Sequence, residues 1–270
     1  MAKTNFEDLL KAGVHFGHLK SKWNPAMAPY VFGERKGIHI IDLNKTVKKI
    51  DEAANALQSI AKSGRKVLFV ATKKQAQEIL EERMKGTTMP YITERWPGGL
   101  LTNFKTTRRT IKKMSAIEKL ITDKDNVNIS KRERLQKSRQ KAKLDKVFGN
   151  IVDMSRLPAA IFIVDIKKEA IALAEAKKLG IPVFAMVDTN SDPSDVEFVI
   201  PSNDDATKSI DLVVSVMADA IKEGLEERKA GKAKAAKEKE EAKAQEETAK
   251  AESAKEEEVE EATEEKTTAK

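Results

Sequence analysis

Residues 66–71 read Lys-Val-Leu-Phe-Val-Ala, and residues 160–165 read Ala-Ile-Phe-Ile-Val-Asp. Successive positions in both runs are apolar, without the alternation of polar and apolar residues that a half-exposed strand shows. Such strands are typical of parallel sheets that helices cover on both faces. Helical patterns separate the runs, so right-handed crossovers should connect the strands. The sequence therefore predicts a doubly wound α/β fold.

The same patterns predict the other elements of the chain. Thr4-Asn5-Phe6-Glu7 reads as a capping box, with Thr4 as the N-cap of a short first helix, and Asn44 is the predicted N-cap of a second helix that ends at Gly64. The predicted strands are 38–43, 66–71, 89–93, 160–165, 181–187 and 197–200, and the predicted helices are 4–13, 44–64, 72–85, 168–179 and 205–227. Residues 14–37 are rich in glycine and proline and are predicted to be irregular.

The stretch from Lys105 to Phe148 interrupts this alternation. It carries fifteen Lys or Arg and five Asp or Glu residues, a net charge of +10, whereas the whole chain carries +7. Its patterns predict two helices joined by a turn at 123–126, the second opened by a capping box of Ser130 and Glu133. The apolar stripe is too thin for a domain core, so we expect a projecting antiparallel hairpin that binds a polyanion. The alternative is a solvated hairpin whose cations only maintain solubility.

The last 41 residues have a composition that cannot form a core. From Ala230 onward the chain is almost wholly Ala, Lys, Glu, Gln and Thr, and Val259 is its only large apolar residue. Such a segment is predicted to be a disordered tail. The predicted organisation is an α/β globular domain of residues 1–104 and 149–229, an inserted basic helical hairpin of 105–148, and a charged low-complexity tail of 230–270.

Composition and motifs also restrict the chemistry. The chain has no cysteine, which excludes disulfides and thiolate metal sites. The glycine spacings of G-x-G-x-x-G and of the P-loop are absent, and no nucleophile motif is present. The N-terminus leads into a charged amphipathic helix and not into a signal sequence, and no long apolar run is present. We therefore predict a cytoplasmic protein, and these motifs indicate no required cofactor.

A cluster of polar residues is predicted at the carboxyl edge of the sheet. Asp188 follows one predicted strand, and Asp204 and Asp205 follow the next, so they lie where ligands gather in doubly wound folds. With His18 they could hold Mg²⁺ or Zn²⁺, and the alternative function is then a metal-dependent small-molecule enzyme. The opposing interpretation is that Asp188 and Asp192 shape a loop while Asp204 and Asp205 cap the next helix.

Cations and aromatic residues alternate between Lys20 and Lys36, a composition suited to stacking on bases and contacting phosphates in RNA. The alternative is that the aromatic residues form a small satellite core under this loop. The pairs Lys73-Lys74 and Arg95-Trp96 add further cations and one more aromatic residue. The predicted RNA-binding residues are Lys20, Lys22, Trp23, Arg35, Lys36, Lys73, Lys74, Arg95, Trp96, Lys105, Arg108, Arg109, Lys112, Lys113, Lys131, Arg132, Arg134, Lys137 and Arg139.

A series of longer motifs spans roughly residues 5–225. They include Ala12-Gly13-Val14-His15-Phe16-Gly17-His18, Trp23-Asn24-Pro25, Thr72-Lys73-Lys74-Gln75-Ala76, Leu101-Thr102-Asn103-Phe104 and Asn203-Asp204-Asp205-Ala206. In this order the motifs resemble those of bacterial small-subunit ribosomal protein two.

The resemblance implies a flavodoxin-like α/β domain with a protruding coiled-coil hairpin and no enzymatic activity. It also implies a structural role in the small ribosomal subunit during translation, contacts with small-subunit ribosomal RNA and neighbouring ribosomal proteins, and help in docking the mRNA-binding first protein of that subunit near the mRNA exit. A membrane has no part in this function. A third hypothesis is a protein-binding scaffold in which the basic hairpin contacts an acidic protein.

Overall fold

A computed structural model describes residues 4–122 and 130–231 of the chain. The chain divides into two compact units, Met1–Leu225 and Glu226–Lys270. In the second unit the described residues, 226–231, are helical. The predicted turn at 123–126 and most of the predicted tail lie outside the described residues.

The first unit alternates helices and strands as an α/β protein does. In chain order its elements are α1 (Phe6–Lys11), β1 (Phe16–Leu19), β2 (Val31–Arg35), β3 (Ile38–Ile41), α2 (Leu43–Lys62), β4 (Val67–Val70), α3 (Lys74–Met84), β5 (Tyr91–Ile92), α4 (Phe104–Thr122), α5 (Lys131–Phe148), β6 (Ala160–Val164), α6 (Ala170–Leu179), β7 (Val183–Val187), β8 (Phe198–Pro201) and α7 (207–225). The bounds of the predicted strands and helices differ from these by a few residues at their ends.

Five strands form one parallel sheet in the order β5-β4-β6-β7-β8. Numbered within the sheet alone, this order is 2-1-3-4-5, which is the order of flavodoxin-like doubly wound sheets. The direction in which successive strands are added across the sheet reverses between the parallel neighbours β4 and β6. In such folds, ligands bind in the crevice at the carboxyl ends of these two strands. The predicted parallel α/β sheet is confirmed.

Apolar side chains cover both faces of this sheet. Along β4, Val67 and Phe69 pack into one hydrophobic core, with α2, α3 and α7, whereas Leu68 and Val70 pack into a second core on the other face, with α4 and α6. Phe69 and Phe162 are fully buried, with ring centroids 5.2 Å apart. Burying one such side chain contributes about 1.5–3 kcal/mol. This two-sided burial is why the sequence of β4 and β6 shows no alternation.

A second, antiparallel sheet lies in the region that was predicted to be irregular. Its strand order is β1-β3-β2, and it makes the prediction of an irregular segment over 14–37 wrong. Strands β2 and β3 are joined by a two-residue turn in which Lys36 has φ 54° and Gly37 has φ 78°. Two positive φ values define the hairpin turn whose twist matches that of the flanking strands. Lysine rarely adopts such a φ, so the pair Lys36-Gly37 is not a typical sequence signal for this hairpin turn.

Two of the three predicted helix caps are wrong. The N-cap of α1 is Asn5 and not Thr4. The N-cap of α2 is Asp42, whose Oδ1 accepts the backbone N–H of Asn44 at 3.0 Å. The third cap is confirmed, because Ser130 Oγ accepts the backbone N–H of Glu133 at 3.2 Å at the start of α5.

Helices α4 and α5 contact each other and differ in burial. Helix α4 buries a stripe that includes Ile111, Met114 and Ile117, whereas none of the residues of Lys131–Phe148 is buried. Glu118 and Lys141 form an ion pair of 2.6 Å between the two helices. Among the described helices, none combines the length and the apolar composition that a membrane span requires.

A substitution at Gly224 should test how closely α7 packs on α2. A Cβ atom at this position would overlap the backbone oxygen of Gln58 and lie 3.0 Å from the Cβ of Ala61. We expect Gly224→Ala to lower the free energy of unfolding by about 1–3 kcal/mol because of overpacking, although alanine has the higher helix propensity by about 1 kcal/mol. Urea denaturation measures this difference.

The matched control is Gly98→Ala, since no atom lies within 4 Å of a Cβ built there. Equal stability of the two variants would contradict the close approach of α7 and α2.

Candidate nucleic-acid interface

The polar residues predicted at the carboxyl edge of the sheet do come together. His18 lies between two carboxylates, with its Nδ1 atom 3.1 Å from Asp188 Oδ2 and its Nε2 atom 3.3 Å from Asp205 Oδ2. Interaction with Asp188 raises the pKa of His18 above its ordinary value, and this effect exceeds the opposing effect of burial. Asp188 also accepts the Thr189 backbone N–H at 2.5 Å, which fixes the loop that follows β7.

The cation at the centre of this cluster is the ammonium group of Lys73, the residue that directly precedes α3. Its Nζ atom lies 2.6 Å from Asp205, 2.9 Å from Asp204 and 3.4 Å from Asp165. Asp204 is only 1% exposed. Burial lowers the pKa of Lys73, but the hydrogen bonds to Asp205 and Asp204 outweigh this effect and raise it above its ordinary value. Lys73 therefore partly compensates the negative charge of the carboxylates at the carboxyl edge.

The pKa of Asp204 shows that one ammonium does not fully compensate these carboxylates. Burial, together with the negative charges of Asp165 and Asp188, raises the pKa of Asp204 to about 7 despite its hydrogen bond to Lys73. Asp205 is more exposed, and its hydrogen bond to Lys73 lowers its pKa. The cluster is thus a buried network with an excess of negative charge.

The four predicted metal ligands are all members of this network. In the described part of the chain, no group of three or more His, Asp or Glu side chains is arranged to hold a metal ion. Asp192 accepts the Ser194 backbone N–H at 3.0 Å, as the loop interpretation expects. The turn before α7 is capped by Asn203, whose side-chain oxygen accepts the backbone N–H groups of Asp205 and Ala206 at 2.9 and 3.3 Å. Binding of Mg²⁺ or Zn²⁺ by His18, Asp188, Asp204 and Asp205 stays a prediction.

A buried carboxylate organises the loop that leads into α4. Glu175, on α6, accepts hydrogen bonds from the indole N–H of Trp96 at 3.1 Å and from the backbone N–H groups of Gly99, Leu101 and Thr102 at 2.7, 3.0 and 3.1 Å. Burial raises the pKa of Glu175, but these bonds outweigh it and leave the pKa below its ordinary value. The ionised Glu175 therefore holds the segment from which α4 begins.

Three residues of the predicted RNA-binding set, Trp96, Lys73 and Trp23, have side chains that are partly or wholly buried. The Trp96 ring is 6% exposed, so its flat face is covered by protein in this structure. Lys73 lies in the carboxylate network described above. Trp23 is half-buried, and its ring centroid lies 5.0 Å from that of His39. These three side chains have structural contacts within the chain.

Most of the predicted cations are exposed to solvent. Lys20 pairs with Glu34 at 2.8 Å, and Arg108 donates to the backbone oxygen of Ser155 at 2.5 Å. The exposed members of the set are Lys20, Lys22, Arg35, Lys36, Lys74, Arg95, Lys105, Arg109, Lys112, Lys113, Lys131, Arg132 and Arg139. Ten of the fifteen cations of 105–148 belong to the predicted set, and each of the ten is exposed or half-buried on α4 or α5. The helix pair thus presents a dense positive surface, to which a polyanion is complementary.

Sequence reasoning missed the role of Glu175. A single Glu between Ala172 and Ala176 on an apolar helix is the signal that was available, because a carboxylate in such a position needs hydrogen-bond partners. Its partners lie more than 70 residues away in the chain. Their identity follows only from the packing of α6 against the loop.

The fold and the site define a structural α/β protein whose carboxyl edge is closed by an internal ion-pair network and whose inserted helices are strongly basic. The family model described as Ribosomal protein S2 matches residues 9–224. The chain belongs to this family, whose members are structural components and not enzymes. The alternative of a metal-dependent small-molecule enzyme is therefore wrong.

Curated relatives support the assignment over most of the chain. The small ribosomal subunit protein uS2 of Phocaeicola vulgatus is 64% identical over 232 residues, which cover 86% of this chain and 83% of the relative. The protein of the same name from Bacteroides thetaiotaomicron is 63% identical, with 86% and 84% covered. That of Porphyromonas gingivalis is 62% identical, with 86% and 83% covered. The resemblance noted in the sequence is thus confirmed at the level of the family.

Replacement of Lys73 should destabilise the folded chain. Lys73→Met removes the ammonium from the buried Asp204 and leaves an uncompensated charge, which typically costs about 3–5 kcal/mol. The pKa of Asp204 is raised to about 7 even with Lys73 present, and loss of the ammonium raises it further. The folded variant therefore binds more protons than the unfolded chain from the ordinary pKa of Asp up to at least about 7, so its stability should rise as the pH falls through this range and be lowest above it.

Urea denaturation at several pH values measures this effect, and Lys74→Met is the control, since its side chain is exposed. A pH-independent loss, or the same loss in both variants, would contradict the network.

Glu175→Gln should loosen the loop before α4. The amide retains one acceptor oxygen, but it replaces the other by a donor that faces the backbone N–H groups. Leaving buried donors unpaired costs about 1–3 kcal/mol each, so we expect a loss of a few kcal/mol in the free energy of unfolding, with faster hydrogen exchange at residues 99–102. Glu78→Gln, at an exposed position of α3, is the control. Unchanged exchange in the Glu175 variant would refute the role of this carboxylate.

Proposed function

We propose that this chain is a structural constituent of the small ribosomal subunit that binds small-subunit ribosomal RNA during translation, in the cytoplasm. The observation that carries the proposal is the concentration of exposed cations on α4 and α5 in a member of the ribosomal protein S2 family. Phosphate groups are the partners that such a surface attracts most strongly, since each cation contacting a phosphate releases bound counterions. The globular domain adds exposed cations from the β2–β3 turn and from the start of α3.

The proposal includes the geometry of the basic helices. Contacts between α4 and α5, with the ion pair of Glu118 and Lys141, support an antiparallel coiled-coil arm inserted in the α/β domain. In α5, Leu135 is 53% exposed, so its apolar side chain is available to a partner. The arm is thus suited to contact both RNA and a neighbouring protein.

We also propose that the chain helps to dock the mRNA-binding first protein of the subunit near the mRNA exit. An apolar surface between α1 and the antiparallel sheet supports a protein partner. It encloses a cavity of about 290 Å³ lined in part by Phe6, Leu10 and Phe32, and Phe32 is 78% exposed. Exposed apolar patches on soluble domains commonly mark protein contacts.

Charge reversal on α4 tests the RNA part of the proposal. Arg109, Lys112 and Lys113 are exposed, and none is in contact with the internal networks described above. We expect Arg109→Glu/Lys112→Glu/Lys113→Glu to weaken binding of a small-subunit ribosomal RNA transcript by at least about tenfold. The slope of log affinity against log salt should fall by about 1 per lost phosphate contact. Fluorescence anisotropy of the full chain measures both quantities.

The matched control is Lys48→Glu/Lys85→Glu/Lys178→Glu, which makes the same change in net charge at exposed positions outside α4 and α5. Equal weakening in both variants would show only a general effect of net charge. Crosslinking of the wild-type arm inside the subunit separates RNA from an acidic protein as its main partner, and exclusive crosslinks to protein would refute the proposed contact.

A further inference from the structure

A cleft opens at the amino edge of the parallel sheet, opposite the edge that holds the Lys73 network. It has a volume of about 570 Å³ and is lined by residues that precede β4 and β6. The backbone N–H of Ala159 donates to the oxygen of Lys66 at 2.8 Å, which joins the two segments at the base of the cleft. Ligands of doubly wound folds bind at the carboxyl edge. The cleft is therefore a separate feature of this chain.

The lining of the cleft is positively charged. It includes Arg65, Lys66 and Arg156, against one carboxylate, Asp153. Arg65 and Arg156 are exposed, and within residues 4–122 and 130–231 neither forms an ion pair. Guanidinium groups present a planar fork of donors that matches two oxygens of a phosphate. The cleft thus has the charge and the donors to bind phosphate groups.

Arg108 connects this cleft to the basic helices. The Arg108 side chain, on α4, donates to the backbone oxygen of Ser155 at 2.5 Å, and Ser155 lines the cleft. Arg108 and Lys112 lie four residues apart and therefore share a face of α4. Arg108 thus places the cations of α4 beside those of the cleft, an arrangement that suits a nucleic-acid strand, which carries a charge on every nucleotide. An acidic protein does not present charge with such regularity.

We infer that the amino-edge cleft binds backbone phosphates of the same ribosomal RNA that contacts α4. This inference rests on the proposed function and adds a second RNA contact, made by the globular domain through Arg65 and Arg156. The two contacts act on one continuous polyanion, so each should contribute its own share of the salt dependence.

The test uses the full chain and a small-subunit ribosomal RNA transcript. Arg65→Glu/Arg156→Glu should weaken binding by at least about tenfold at roughly 100 mM salt and lower the salt slope by about 2, one for each lost phosphate contact. Arg65→Lys/Arg156→Lys keeps both charges and should retain most of the slope. The control with the same charge change is Lys48→Glu/Lys178→Glu, at exposed positions of α2 and α6.

Several outcomes separate the inference from the proposed function. If the cleft variant binds RNA like its control while the variant of Arg109, Lys112 and Lys113 is weakened, the cleft inference is overturned and the proposed function stands. If neither variant is weakened, both are overturned. Loss of a neighbouring ribosomal protein with unchanged RNA affinity would assign the cleft to protein and overturn the inference. Thermal melting checks folding, and Arg65→Gln/Arg156→Gln provides the same measurement if the Glu variant does not fold.

Discussion

The structure depends on the burial of both faces of the parallel sheet. Because β4, β6 and β7 are apolar at every position, helices must cover them on each side, and the strands themselves have no surface left for polar chemistry. Polar side chains can gather only at the two edges where the strands begin and end, and on segments inserted between the elements. The Lys73 network, the amino-edge cleft and the basic helices occupy these three kinds of position.

The two edges of the sheet have opposite electrostatic character. At the carboxyl edge, three carboxylates surround one ammonium, so the cation is paired within the chain and the net charge is negative. At the amino edge, Arg65 and Arg156 face an open cleft. Internal compensation stabilises a fold, whereas exposed charge of one sign attracts a partner. This contrast is consistent with the proposed role of a doubly wound fold as a structural RNA-binding protein.

The main elements of the fold could be predicted because their signals are local. Continuous apolar runs gave the parallel strands, and Ser130 with Glu133 gave the start of α5. Of the antiparallel sheet only β3 was predicted. Strands β1 and β2 could not be predicted, since they are short and half-exposed, and the turn at Lys36 and Gly37 has an unusual first residue.

The candidate site, too, could be predicted from the sequence only in part. Asp188 and Asp204 could be placed at one sheet edge because both follow predicted strands. The insertion of Lys73 between carboxylates up to 132 residues away depends on the pairing of β4, β6, β7 and β8 in one sheet. The burial of Trp96 depends likewise on Glu175, 79 residues further along the chain. Such partners follow from tertiary packing, which periodicity does not encode.

The absence of any buried residue in Lys131–Phe148 has a consequence for assembly. A helix with little apolar contact and many like charges gains stability when those charges are neutralised, because its self-repulsion is then relieved. In the proposed complex, an RNA bound to α5 therefore contributes to the helix's own folding free energy, since binding to the folded form alone shifts the equilibrium toward that form. The proposed recognition surface would then be completed by the RNA that it binds.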